Sequence, residues 1–180
     1  WVNDIVFHHM ADGKAFLFDG DSGSMLGMLS TGFGFGGVVV PGDGAVIASP
    51  ETYFSRGTRG MRTDVVTLYD ARTLDPTGEI VIPAKRASTM PMRASAALTD
   101  DDRFLLIYNF TPAQSVTVVD LRARKFVGEV DTPGCALVYP TGPRSFFSLC
   151  GDGTALTVRL DDTGLAIATE RTPQLFDAEQ

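Results

Sequence analysis

Val65-Val66-Thr67-Leu68-Tyr69-Asp70 is a short apolar run closed by an aspartate, and the chain repeats it. The same form returns as Ala15-Phe16-Leu17-Phe18-Asp19, Ser115-Val116-Thr117-Val118-Val119-Asp120 and Ala155-Leu156-Thr157-Val158-Arg159-Leu160-Asp161. After each aspartate come a few turn residues and a second alternating run: Met25 to Leu29, Gly78 to Ile82, Phe126 to Val130 and Ala166 to Glu170. Period-two alternation that stops at turn formers and then resumes predicts a β-hairpin.

The marker aspartates Asp19, Asp70, Asp120 and Asp161 stand 51, 50 and 41 residues apart. That spacing brackets the roughly 40 to 50 residues of one four-stranded propeller blade. Between the markers lies a second hairpin signal. Val38-Val39-Val40 turns at Pro41-Gly42-Asp43-Gly44 into Ala45 to Ala48, Ala94 to Leu98 turns at Thr99 to Asp102 into Phe104 to Tyr108, and Ala136 to Tyr139 leads to Ser145 to Leu149. Two hairpins per period predict four antiparallel strands per period, with no helix between them. The expected fold is therefore all-β, one partial β-propeller domain over 1–180 with roughly four blades, the first and last incomplete, rather than a small closed ring.

At 180 residues with 44% hydrophobic and 21% charged residues, the chain can bury a core. Its formal charge of -7 gives no clustered cationic footprint for nucleic acid or an anionic membrane. No apolar stretch approaches the roughly 20 residues of a membrane-spanning helix. The first residues, Trp1-Val2-Asn3-Asp4, are neither a basic n-region nor an apolar h-region, so targeting is not legible there. The longest irregular stretches are expected at Ser49 to Asp64, with Arg56, Arg59 and Arg62, and at Pro83 to Arg93, with Lys85, Arg86 and Arg93. Long connections in compact domains are commonly functional, which makes these two the expected partner surfaces and the three arginines candidate subunit contacts.

Several motifs fail on context. Gly32-Phe33-Gly34-Phe35-Gly36-Gly37 satisfies G-x-G-x-x-G, but a dinucleotide needs a helix N-terminus next, and Val38-Val39-Val40 reads as strand. The glycines instead let strands crowd together. Asp19-Gly20-Asp21-Ser22-Gly23 lacks the sixth-position Gly and twelfth-position Glu of an EF-type calcium loop and reads as a turn. His8 and His9 project to opposite faces of a strand and there is no third histidine, so no metal site is expected. Asp100-Asp101-Asp102 reads as a solvated turn. Cys135 and Cys150 lie 15 apart, at the two ends of an expected hairpin, and are either a cross-strand disulfide or two buried thiols. No nucleophile stands with a base, and no ligand cluster is found.

The run Phe54-Ser55-Arg56-Gly57-Thr58-Arg59-Gly60-Met61-Arg62-Thr63-Asp64-Val65-Val66, followed by Tyr69-Asp70, resembles the heavy subunit of the tryptophan tryptophylquinone amine dehydrogenases. Val119-Asp120-Leu121 and the stretch from Cys135 through Pro140 to Ser145-Phe146-Phe147-Ser148-Leu149-Cys150-Gly151-Asp152-Gly153 are similar too, and the likeness covers essentially the whole chain. Pro83-Ala84-Lys85-Arg86 and Cys150-Gly151-Asp152-Gly153 look closer to the aromatic-amine type than to the methylamine type.

The resemblance implies a seven-bladed heavy subunit of which this chain is about half, in the periplasm, with an intramolecular disulfide that maps onto Cys135 and Cys150. It implies that the tryptophan tryptophylquinone cofactor and the catalytic base belong to a light subunit, two of which join two heavy subunits in a heterotetramer. The implied reaction is oxidative deamination of a primary amine to aldehyde and ammonia, with electrons leaving to a small copper protein or a cytochrome. The position matching the family's substrate-channel phenylalanine is Phe7. The rival reading is a stand-alone periplasmic propeller acting as a binding module. A propeller hydrolase of the lactonase kind would need convergent metal ligands.

Overall fold

A computed structural model describes residues 2–4, 12–34, 37–89 and 92–177. The chain divides into two compact units, one of Trp1–Ala84 with Ser88–Pro91, the other of Lys85–Ala87 with Met92–Gln180. The first unit holds the antiparallel sheet β1 (Val2–Asp4), β2 (Asp12–Phe18), β3 (Met25–Phe33) and the sheet β4 (Val46–Phe54), β5 (Arg62–Asp70), β6 (Pro76–Ile82). Val39 bridges Ala48 beside β4 and supplies the start of a fourth strand. The second unit holds two complete four-stranded sheets, β7 (Ala96–Leu98), β8 (Phe104–Asn109), β9 (Ser115–Asp120), β10 (Lys125–Asp131) and β11 (Cys135–Gly142), β12 (Ser145–Cys150), β13 (Ala155–Leu160), β14 (Ala166–Arg171). Apart from one 3-10 turn at Arg93–Ser95, the described residues form no helix. Sequential antiparallel strands that repeat as four-stranded blades make this a partial β-propeller, all-β as the aspartate spacing predicts.

Burial explains why the central strands read as apolar runs. All six residues of β8 and all six of β9 are buried, because both faces of that sheet are covered. Val116, Val118 and Val119 are fully enclosed, each worth about 1.5–3 kcal/mol over the exposed state. The last strand of each sheet is the solvated one, as in β14, where five of six residues are exposed. In the first unit Ala15, Leu29, Ile47 and Tyr69 form the core, with Val38, Val40 and Leu74 packed against it.

The marker aspartates have one structural task. Asp19 Oδ1 accepts the N–H groups of Asp21 and Ser22, Asp70 Oδ1 those of Arg72 and Thr73, Asp120 Oδ1 that of Ala123, and Asp161 Oδ1 those of Thr163 and Leu165. A carboxylate at the end of the next-to-last strand of each sheet thus satisfies turn donors that no strand can reach. All four carboxyls lie below the usual range: the Ser22 and Thr73 N–H groups lead for Asp19 and Asp70, the Thr163 hydroxyl leads for Asp161, and for Asp120 burial is outweighed by the bonds.

The glycine run is a packing device. A Cβ on Gly32 would lie 2.8 Å from the Thr52 carbonyl oxygen, and one on Gly34 would overlap that of Ser88. Both residues also have positive φ, 74° and 81°. No helix follows among the described residues, so the dinucleotide reading fails here.

The connection expected from Ser49 to Asp64 is largely strand. β4 and β5 pair over nine positions, from Val46 opposite Asp70 to Phe54 opposite Arg62, which leaves only 55–61 as the turn. Pro50 is tolerated because Ala48 sends its N–H toward Val39, so the nitrogen two residues on also points away from β5 and removes no β4–β5 bond. The second long connection is also tied down: Lys85 Nζ bonds both Glu129 carboxylate oxygens at 2.8 Å, and Arg86, 4% exposed, bridges Asn109.

Asp120 ties this framework to pH. Burial opposes its ionisation, but the Ala123 N–H and the Arg103 guanidinium, 3.0 Å from Oδ2, outweigh burial and keep the carboxyl below its usual range. Its stabilisation is therefore complete above the unfolded value of about 3.9 and is lost as pH falls through the lower folded value. Asp120→Asn should lower unfolding stability by about 1–2 kcal/mol at neutral pH, and denaturant titrations should find that deficit shrinking below about pH 4.

Candidate functional site

The β4–β5 hairpin gathers most of the polar chemistry that the sequence placed in a loop. Alternation sends Ser49, Glu51 and Tyr53 of β4 to the same face as Val65, Thr67 and Tyr69 of β5. There Glu51, with no exposed surface, accepts from Tyr53 Oη at 2.5 Å and Thr67 Oγ1 at 2.6 Å on Oε2, and from Tyr69 Oη at 2.9 Å on Oε1. Burial, reinforced by the Glu51 carboxylate, raises both phenols well above their ordinary range, so they remain donors. A buried acceptor with three hydroxyl donors is a fixed pin for the hairpin.

The opposite face carries a second pin. Asp64, likewise without exposed surface, takes Arg62 Nε at 2.8 Å and Nη2 at 2.7 Å, and the Thr52 hydroxyl at 3.0 Å. Arg62, expected as a subunit contact, is thereby used within its own hairpin. Phe54 meets Phe33 of β3 edge to face, 5.0 Å between ring centroids.

Beyond these pins the tip is ordered by its own backbone. Ser55 N–H bonds the Met61 carbonyl at 3.0 Å, Arg56 N–H the Arg59 carbonyl at 2.9 Å, and Ser55 Oγ accepts the Met61 N–H at 3.0 Å. Arg56 and Arg59 are exposed, and Met61 is 76% exposed. Of the three expected arginines, Arg56 and Arg59 are exposed and Arg62, partly exposed, is paired with Asp64. The Glu51 and Asp64 pins were hidden from sequence reading because Ser49-Pro50-Glu51-Thr52 looks like a break. The usable signal was the pairing of Glu51 and Tyr53 at i, i+2 with Thr67 and Tyr69 at the same interval.

Cys135 and Cys150 are paired residues of β11 and β12 and are joined by a disulfide. Closing a loop of that size lowers the unfolded chain's entropy by about 3 kcal/mol. The bond is buried with Leu156. Phe7, His8 and His9 lie outside the described residues. Asp101 of the aspartate triplet binds Arg144 Nη1 at 2.8 Å, a structural tie rather than a freely solvated group. Among the described residues no group of three His, Cys, Asp or Glu side chains could hold a metal.

Glu51→Gln would place an N–H group against hydroxyl donors. Unfolding stability should fall by about 2 kcal/mol, read from denaturant midpoints, with the far-ultraviolet β signature retained.

Comparison with known proteins agrees with this frame. The family model for methylamine dehydrogenase heavy chain matches residues 1–180. The methylamine dehydrogenase heavy chain of Methylophilus methylotrophus is 35% identical over 173 residues, which is 96% of this chain and 42% of that one. That of Paracoccus versutus is 37% identical over 156 residues, 86% of this chain and 36% of that one. The chain thus spans about two fifths of the length of these relatives. Among solved structures, a dihydro-heme d1 dehydrogenase superposes with a TM-score of 0.62 at 21% identity, over 91% of this chain and 33% of its own. The acylaminoacyl peptidase of Pyrococcus horikoshii gives 0.58 at 13%, over 97% and 30%. These two likenesses concern the fold alone, whereas the sequence relatives and the full-length family match make the chain a member of the methylamine dehydrogenase heavy chain family.

Proposed function

We propose that this chain is part of the heavy subunit of a periplasmic amine dehydrogenase, a seven-bladed scaffold of which it supplies about half. The observation that carries the reading is the match of the heavy-chain family over all 180 residues. The Cys135–Cys150 disulfide supports an oxidising compartment such as the periplasm.

In this reading the tryptophan tryptophylquinone belongs to a light subunit, where it accepts the electrons released as a primary amine becomes aldehyde and ammonia. The complex is a heterotetramer with a second heavy subunit, and it passes electrons to a small copper protein or a cytochrome. This chain's own residues hold and shield that centre and do not react. Pinned hairpins such as β4–β5 suit that task, because their polar groups are already satisfied internally.

The two stretches that suggested an aromatic substrate have structural roles. Lys85 and Arg86 tie down their connection, and Cys150 to Gly153 is a disulfide-bonded turn. The relatives' name favours a small amine over an aromatic one.

Co-expression of the full heavy chain with a light subunit of the methylamine dehydrogenase family should yield one complex that absorbs in the visible and oxidises methylamine. A heavy chain that purifies alone and binds a small molecule unaided would instead support the binding-module reading. Phe7, by resemblance, narrows the passage to the quinone. Phe7→Ala in that complex should shift the kcat/KM ratio of aromatic to short amines by about tenfold, with an unchanged thermal midpoint.

A further inference from the structure

The 55–61 tip combines four properties. It carries Arg56 and Arg59 and no acidic residue, in a chain of formal charge -7. Neither guanidinium has a hydrogen bond or ion pair among the described residues, in contrast to Arg62, Arg103 and Arg144, which hold carboxylates. Met61 exposes 76% of its surface beside them. The backbone holding these side chains is hydrogen-bonded across the turn and anchored below by the Glu51 and Asp64 pins.

We infer that this tip is a docking finger for an acidic protein surface, and, resting on the heavy-subunit reading, that the surface belongs to the light subunit. Two unpaired guanidinium forks match two carboxylates bidentately. Nucleic acid and anionic membranes require a broader cationic patch than two side chains provide. The exposed Met61 beside the two guanidiniums offers an apolar contact, which a recess of a folded protein surface accepts and which a thioether fits adaptably. An ordered finger loses little conformational entropy on docking, so its contacts count nearly in full.

The test uses the assembled heavy and light subunits, with dissociation constants measured from about 50 to 500 mM NaCl, where screening shortens from over 10 Å to a few. Arg56→Glu with Arg59→Glu should weaken the complex about 100-fold and flatten its salt dependence, and Met61→Ser should weaken it about tenfold. The matched charge change Arg159→Glu with Lys125→Glu, at exposed strand positions, should leave affinity within about threefold. Thermal midpoints report folding separately, since the tip guanidiniums support no internal contact. A visible-absorbing complex indifferent to the finger reversal, or to Met61→Ser, would overturn the inference and leave the heavy-subunit reading standing. Failure of the wild-type chains to associate would overturn both.

Discussion

Every sheet here meets the same constraint at its outer hairpin: the backbone leaves the ladder, and the N–H groups of the turn lose their strand partners. One aspartate per blade answers it. The carboxylates of Asp19, Asp70, Asp120 and Asp161 stand at the same point of each repeat and accept from the turn that follows. Because the acceptor is ionised, these bonds are stronger than neutral ones, and they hold the carboxyls that accept them below the usual pKa range. The repeat seen in the sequence is therefore a repeat of turn chemistry, and the strands fill the intervals between.

Turn closure fixes where each next-to-last strand ends, and that register decides which polar residues meet. In the first unit, opposing Asp70 to Val46 carries Glu51 to the face of Thr67 and Tyr69, and Thr52 to the face of Asp64. A slip of one residue would exchange the faces and strand both buried carboxylates. The polarity of this hairpin is thus what gives it a single register, and its exposed arginines inherit a defined direction from that register.

For a scaffold this arrangement is apt. Its ion pairs and hydroxyl networks are closed upon themselves, as with Lys85 and Glu129 or Arg103 and Asp120. Under the proposed heavy-subunit reading, contacts to a partner would fall to the side chains the fold does not use. Arg56, Arg59 and Met61 are such side chains.

Periodicity alone determined the fold class and the hairpins, since side-chain alternation and turn residues are local properties. Val116 to Asp120 or Phe104 to Tyr108 need no distant partner to be recognised as strands. The cysteine separation placed both thiols at the ends of one expected hairpin, and only the tertiary structure decided that Cys135 and Cys150 are bonded. Tertiary structure alone decided that Ser49 to Thr52 is strand rather than loop, because the free energy that overrides Pro50 and the buried Glu51 comes from Thr67, Tyr69 and Tyr53. It likewise decided which arginines stay exposed: Arg62 is consumed by an aspartate two residues away, which a linear reading cannot distinguish from Arg56 or Arg59. The physical reason is common to both cases. A charge's fate depends on which partners folding brings within about 3 Å: the extended backbone of β5 sets Arg62 beside Asp64, and the pairing of β4 with β5 sets Thr52 beside Asp64 and Thr67 beside Glu51.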